Sequence, residues 1–158
     1  MEIDREILDE ALNGMRKGYS CAESVIIALN KRAKIPEWLT PRIATGFSAG
    51  IGRIGEVCGA INAGIMIISA IYGRDIPEDL ITYEKCMEKV QELICKFRKI
   101  HGEIHCEKLI GLKLIKEEDR EKFRIENLKE KKCMKFVEDT IKILMEIICE
   151  DNKLKSKI

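Results

Sequence analysis

Apolar positions recur every three or four residues along most of this chain, the spacing that lines one face of an α-helix. Ile3, Ile7, Leu8, Leu12 and Met15 set a first amphipathic helix over 3–17, closed by Gly18. Ser20 and Glu23 then form the S-x-x-E capping box of a second helix. That box puts Cys21 at the first helical position, with Val25, Ala28 and Leu29 on its face to about Arg32. Pro36 and Trp38 open a short third helix, and Thr40-Pro41 marks a turn or a second start. The stretch 57–72 carries no charge after Glu56 and is apolar on almost every side. A surface helix shows a single apolar stripe, so this one has to be surrounded by others. It is also shorter than the ~20 apolar residues of a membrane span.

Beyond it, Pro77 begins a long helix to about Lys99, striped by Leu80, Tyr83, Met87, Val90, Ile94 and Phe97. Gly102 stops it, and a short helix with Cys106 near its start is closed by Gly111. The densely charged 113–132 reads as a surface connection with a helical piece. A final helix over 131–150 turns Cys133, Phe136, Val137, Thr140, Ile141, Leu144 and Ile148 inward. No stretch alternates with the period of a strand. The expectation is an all-α bundle around the 57–72 helix, one domain over 1–150, with a disordered tail over 151–158.

Composition narrows the partners. The 158 residues are 46% hydrophobic and 35% charged, which describes a folded domain with a proper core. A net charge of +1 gives no reason to expect nucleic acid or a membrane surface. The acidic start, MEIDREILDE, lacks the basic and apolar regions of a secretion signal, so a cytoplasmic location is expected.

Gly50, Gly52 and Gly55 fit G-x-G-x-x-G, with Asp75 at the distance of a ribose-binding acid. That motif needs a preceding strand and an enclosing βαβ unit. The residues before it neither alternate nor favour β-branched types, so no nucleotide is expected. A turn that lets backbone approach something closely accounts for the glycines.

Seven cysteines in a chain expected to be cytoplasmic are more often metal-binding or catalytic than disulfide staples. No C-x-x-C occurs, which excludes thioredoxin-like motifs, zinc ribbons and c-type haem attachment together. Cys86 and Cys95 are nine residues apart on one helix and point to opposite sides, so they cannot share a site and are read as packing residues. Cys149 falls on another face from Cys133. Cys21, Cys58, Cys106 and Cys133 each lie near the start of a different helix, where unpaired N–H groups and the dipole favour thiolate. The glycine-rich approach would let backbone N–H groups reach the sulfurs, making Gly50, Gly52, Gly55 and Gly59 the expected cofactor-binding positions. Packing of free cysteines as small hydrophobes is the plain alternative. His101 and His105 are read as exposed or capping in preference to metal ligands, because Gly102 interrupts their helix. No nucleophilic triad and no carboxylate pair suited to acid–base work is evident.

The segments GYSCAES, GEVCGAINAG, HGEIHCEKLIG and KKCMKFVEDT together resemble the redox-active proteins named for their C-GCAxxG-C-C cysteine arrangement, relatives of split-Soret cytochromes. The resemblance covers most of the chain and places the family's four cysteines on Cys21, Cys58, Cys106 and Cys133. Ala63 stands where the motif has its last glycine, with Gly64 following. The cytochromes' haem-attachment motif is absent, so no haem is expected. The resemblance implies a small helical redox protein, and with the exposed helical faces it points to a homodimer with an unidentified redox partner. Four thiols of this kind hold zinc or an iron–sulfur cluster, and widely separated ligands suit a [2Fe–2S] cluster better than zinc. Two alternatives stay open: a metal-free thiol–disulfide relay on the same cysteines, and a helical interaction module whose cysteines only pack. Whether the chain is an enzyme is left open.

Overall fold

In the computed structural model of the protein, backbone is described for residues 2–155 and side chains for 5–150. Eight α-helices follow in order: α1 (Glu2–Arg16), α2 (Cys21–Ala33), α3 (Arg42–Thr45), α4 (Gly59–Tyr72), α5 (Leu80–His101), α6 (Cys106–Ile110), α7 (Glu117–Ile125) and α8 (Met134–Lys155). Among the described residues there is no strand, only an isolated antiparallel bridge between Val57 and His105. The fold is all-α.

The capping box folds as read. The Glu23 N–H donates to Ser20 Oγ at 3.3 Å, and the Ser20 N–H donates to Glu23 Oε2 at 2.9 Å. Such a cap stabilises a helix start by about 1 kcal/mol. Asp79, two residues past the expected opening at Pro77, caps α5 by accepting from the Thr82 N–H. Gly102 and Gly111 end α5 and α6 in left-handed geometry. Between Pro36 and Pro41 the backbone forms hydrogen-bonded turns, and the expected third helix is displaced to α3.

Two helices share the centre. Residues 59–64, Ile67 and Ile68 of α4 are buried, but Ser69 and Ala70 lie exposed, so its second half is open on one side. Helix α8 is buried more widely than its expected stripe, with Ile143, Met145 and Ile147 also inside. Gly64 explains how closely α4 nests against its neighbours: a Cβ there would come within 2.8 Å of Leu93 on α5 and 3.4 Å of Thr140 on α8. The close-packing glycine thus stands one position beyond the motif's own, which Ala63 fills as a fully buried methyl.

Helix α5 departs from its expected stripe. Leu80 and Tyr83 are exposed, whereas Met87, Val90, Ile94 and Phe97 pack on the core as expected, joined there by Cys86 and Leu93. Cys95 is exposed and packs nothing, because it lies opposite that line. His101 is neither exposed nor capping. Its ring stacks on Phe97 at 4.4 Å and meets Phe136 edge-on at 5.0 Å, inside the α5–α8 contact. Its Nε2 lies 3.1 Å from Asp139 Oδ2 but off the line of a hydrogen bond. Burial outweighs the nearby carboxylate and holds the His101 pKa below the ordinary histidine range.

The side chain of Ile3 lies outside those described. The tail expected beyond Glu150 is helical as far as Lys155, and residues 156–158 lie outside the described residues. No helix among the described residues is long and apolar enough to cross a membrane.

Candidate functional site

Four local devices bring the cysteines together. Cys21 opens α2 as its first residue, behind the capping box. The same box reaches outward: Thr45 Oγ1 donates to Glu23 Oε1 at 2.7 Å, and Ser48 Oγ donates to Ser20 Oγ at 2.5 Å. The glycine-rich loop is thereby anchored across the start of α2.

That loop winds the wrong way for L-residues. Ala49, Gly50, Ile51, Gly52, Arg53 and Gly55 all have φ between +55° and +84°. Left-handed geometry costs a non-glycine residue about 1–2 kcal/mol, and for β-branched Ile51 it is a genuine outlier. The turn is held by its own hydrogen bonds, Gly52 N–H to Gly46 O at 2.8 Å and Glu56 N–H to Gly50 O at 3.0 Å. Strain of this kind persists where surrounding structure over-determines it, and it concentrates at functional sites.

The third device is a clasp between two loops distant in sequence. The Cys58 N–H donates to Ile104 O at 2.8 Å, and the Cys106 N–H donates to Glu56 O at 2.7 Å. The Glu107 N–H also donates to Gly55 O at 3.1 Å. Residues 55–58 and 104–107 therefore lie antiparallel, and the starts of α4 and α6 sit side by side. Asn62 Nδ2 donates to Val57 O at 2.9 Å, fixing the entry to α4 with Cys58 as its N-cap residue. The clasp consumes the N–H groups of Cys58 and Cys106 themselves, while the Ala60 N–H in the first turn of α4 reaches toward the sulfurs of Cys21 and Cys58.

Cys133 arrives by the fourth device. It ends a single π turn, Lys129–Cys133, that runs into α8, so it sits inside a widened helical stretch and not at a free helix start. Lys132 Nζ lies 3.4 Å from the carbonyl oxygen of Leu109, at the end of α6, and ties this turn to it.

All four cysteines line one cavity of about 320 Å³. All seven cysteines are free thiols, and Cys86, Cys95 and Cys149 do not line that cavity. Two of the expected glycines lie in contact with the cysteines. A Cβ on Gly59 would stand 2.5 Å from Cys21 Sγ, and one on Gly50 would stand 2.7 Å from Cys106 Cβ. Gly55 packs on Glu107, while Gly52 has nothing near its Cβ position and serves only the left-handed path. The glycine run is therefore a cradle for cysteine-bearing segments, entered from turns and not from a strand. Neither histidine lines the cavity. His105 holds the N-cap position of α6 without capping it, and its Nδ1 lies 2.7 Å from Glu103 Oε1.

The electrostatics reverse one expectation. Burial raises the Cys21 pKa even though N–H groups of Ala49, Ala22 and Ala60 reach toward its sulfur. Cys58 is pushed well up by burial, then by the neighbouring Cys21, Cys106 and Cys133. Burial, with Cys21 and Glu107, takes Cys106 up to about 12. Cys133 is raised by burial and by Cys21 and Cys106, against the pull of Lys129 and Lys132. Loss of water costs these thiolates more than helix dipoles return. The set is protonated at neutral pH when nothing else neutralises it.

Sequence reasoning missed the rest of the lining, which includes Arg53, Phe123, Lys129 and Phe136. Phe136 reads from periodicity only as core, and the others sit in segments without a motif. Among the described residues no three Cys, His, Asp or Glu side chains converge on one metal-ion position.

No curated protein and no solved structure matches the chain. The family model described as "Putative redox-active protein (C_GCAxxG_C_C)" matches residues 19–147, a span that begins just before Cys21 and includes Cys133. With four cysteines from four segments gathered around a glycine cradle, and with that model matching most of its length, the chain belongs to this redox-active family.

Proposed function

We propose that Cys21, Cys58, Cys106 and Cys133 hold an iron–sulfur centre, best a [2Fe–2S] cluster, and that the protein transfers electrons to a redox partner. One observation carries this reading: four free thiols from four separate segments line a single cavity. Buried thiols so placed are poor bare nucleophiles, because the thiolate is the reactive form. As ligands they are well suited, since a bound cation supplies the charge that burial withholds and takes up the thiolates. The donor chemistry is soft, which favours iron–sulfur or zinc over hard cations.

A bound cluster would supply reversible one-electron transfer. The chain's own residues do the rest. The four cysteines give up protons on binding, and the Ala49, Ala22 and Ala60 N–H groups face the Cys21 sulfur. The cations Lys129 and Lys132 favour the Cys133 thiolate. A reducing cytoplasm would keep the thiols available.

Anaerobic purification of the full chain with visible spectroscopy and iron and sulfide analysis tests this. The expected result is a brown protein with about two irons and two sulfides per chain. Cys→Ser at any of the four positions is expected to remove the colour, while Cys95→Ser leaves it. A colourless protein with a fast-alkylating Cys21 or Cys58 would instead favour the metal-free relay. Colourless protein with inert thiols would leave only packing.

A further inference from the structure

The cavity offers more than the sulfurs use. Its volume of about 320 Å³ equals that of roughly ten liquid waters and reaches the range of small-molecule pockets. A four-atom two-iron core fills only part of it. Much of the remaining wall is apolar, with Met15 from α1, Leu114, Phe123 from α7 and Phe136 from α8. Ligands of a metal centre need no such wall, but a ligand with an apolar body does.

Two cations share this lining, Arg53 on the left-handed turn and Lys129 on the π turn. Among the described residues neither makes an ion pair or a side-chain hydrogen bond. The one carboxylate in the lining is already engaged: Glu23 accepts from the Ser20 N–H through one oxygen and from the Thr45 hydroxyl through the other, and the charge of Lys129 also favours its ionised form. Lys129 still acts on Cys133, and Lys132 acts beside it. Arg53 is left with no partner, on a backbone whose φ of +72° a non-glycine residue rarely adopts. A guanidinium matches a carboxylate through two parallel hydrogen bonds.

We infer that the cavity beside the four cysteines is a binding site for a small organic carboxylate with an apolar body, its carboxylate on Arg53 and Lys129 and its body against Phe123, Phe136 and Met15. This goes beyond the redox reading and stands without it, because the walls and the two cations are present whatever the sulfurs hold.

The test titrates the full chain anaerobically, both metal-free and iron-loaded, with benzoate and hexanoate as probes and benzamide and hexanamide as their neutral counterparts. Methyl NMR reads the site through Met15, Leu109 and Leu114, and calorimetry gives the affinity. The carboxylates are expected to shift these methyls and to bind at least about tenfold tighter than the amides, the difference one charged hydrogen-bonded contact makes. Arg53→Gln, an exposed change, is expected to erase most of that difference with an unchanged circular dichroism spectrum. Phe123→Ala should weaken acids and amides alike. Equal binding of acids and amides, no binding in either state, or an unaltered affinity in Arg53→Gln would overturn the inference. So would binding to metal-free protein that iron loading abolishes, since the space would then belong to the cluster. Iron content measured on the same samples judges the redox reading separately: carboxylate binding without iron sinks only the cluster, and iron without carboxylate binding sinks only the pocket.

Discussion

The helical core and the glycine turn are built on opposite principles. In the core, capping, apolar burial and close helix contact work together. The α2 start is doubly capped, α4 and α8 bury long apolar side chains, and Gly64 lets three helices close on one another. The turn over 49–55 does the reverse. Three non-glycine residues are held left-handed, Ile51 and Ile54 face solvent, and besides the turn's own hydrogen bonds its flanks are anchored on α2 and on the distant 104–107 segment. Core stability thus holds a strained segment against the sulfurs. The difference teaches that the strained backbone is confined to the segment beside the sulfurs, where such outliers commonly accompany function.

Breaking the core should be the larger thermodynamic event and the smaller chemical one. Leu144→Ala, at a fully buried site on α8, is expected to cost about 3–5 kcal/mol in denaturant unfolding. With the proposed cluster bound, the folded fraction should keep its iron content. A loss of iron in step with stability would mean that the two regions are not separable.

Gly50→Ala should do the opposite. Its Cβ would stand 2.7 Å from the Glu56 backbone and from Cys106 Cβ, adding about 1–3 kcal/mol of overpacking to the left-handed penalty. Under the proposed cluster binding, iron content should fall by more than half. Gly52→Ala shares the positive φ but meets open space, so only the conformational penalty of about 1–2 kcal/mol is expected, with iron retained. Similar behaviour of the two variants would show that conformation alone matters at the cradle.

The smallest effect carries the sharpest sign. Ile51→Gly removes the left-handed penalty of about 1–2 kcal/mol and adds a glycine entropy cost of about 0.5–1 kcal/mol. A net gain of up to about 1 kcal/mol in unfolding free energy is expected. A clear destabilisation would mean that the Ile51 side chain makes packing contacts worth more than the strain.

Much of this protein was legible from spacing alone. Helix periodicity and capping depend on residues three or four apart, so the all-α fold, the Ser20–Glu23 box and the glycine stops at 102 and 111 could be read directly. Grouping Cys21, Cys58, Cys106 and Cys133 as helix-start residues rested on the same local rule. The rule holds for three of them and is loose for Cys133, where a π turn intervenes. The α5 stripe holds from Met87 to Phe97 and fails at Leu80 and Tyr83, because only neighbouring elements decide how far along a helix the core extends.

Tertiary structure alone decided what the cysteines meet. The clasp between 55–58 and 104–107 joins segments whose pairing leaves no periodic trace, and it spends the N–H groups of Cys58 and Cys106, leaving those of Ala22 and Ala60 to face the sulfurs. The left-handed path of 49–55 follows from anchors on Ser20, Glu23 and Glu56, which a string of glycines does not reveal. Burial, and with it the reversal from favoured thiolate to protonated thiol, depends on how many atoms exclude water from all sides. A linear sequence encodes the donors and their local geometry. The dielectric around them exists only once the chain has closed.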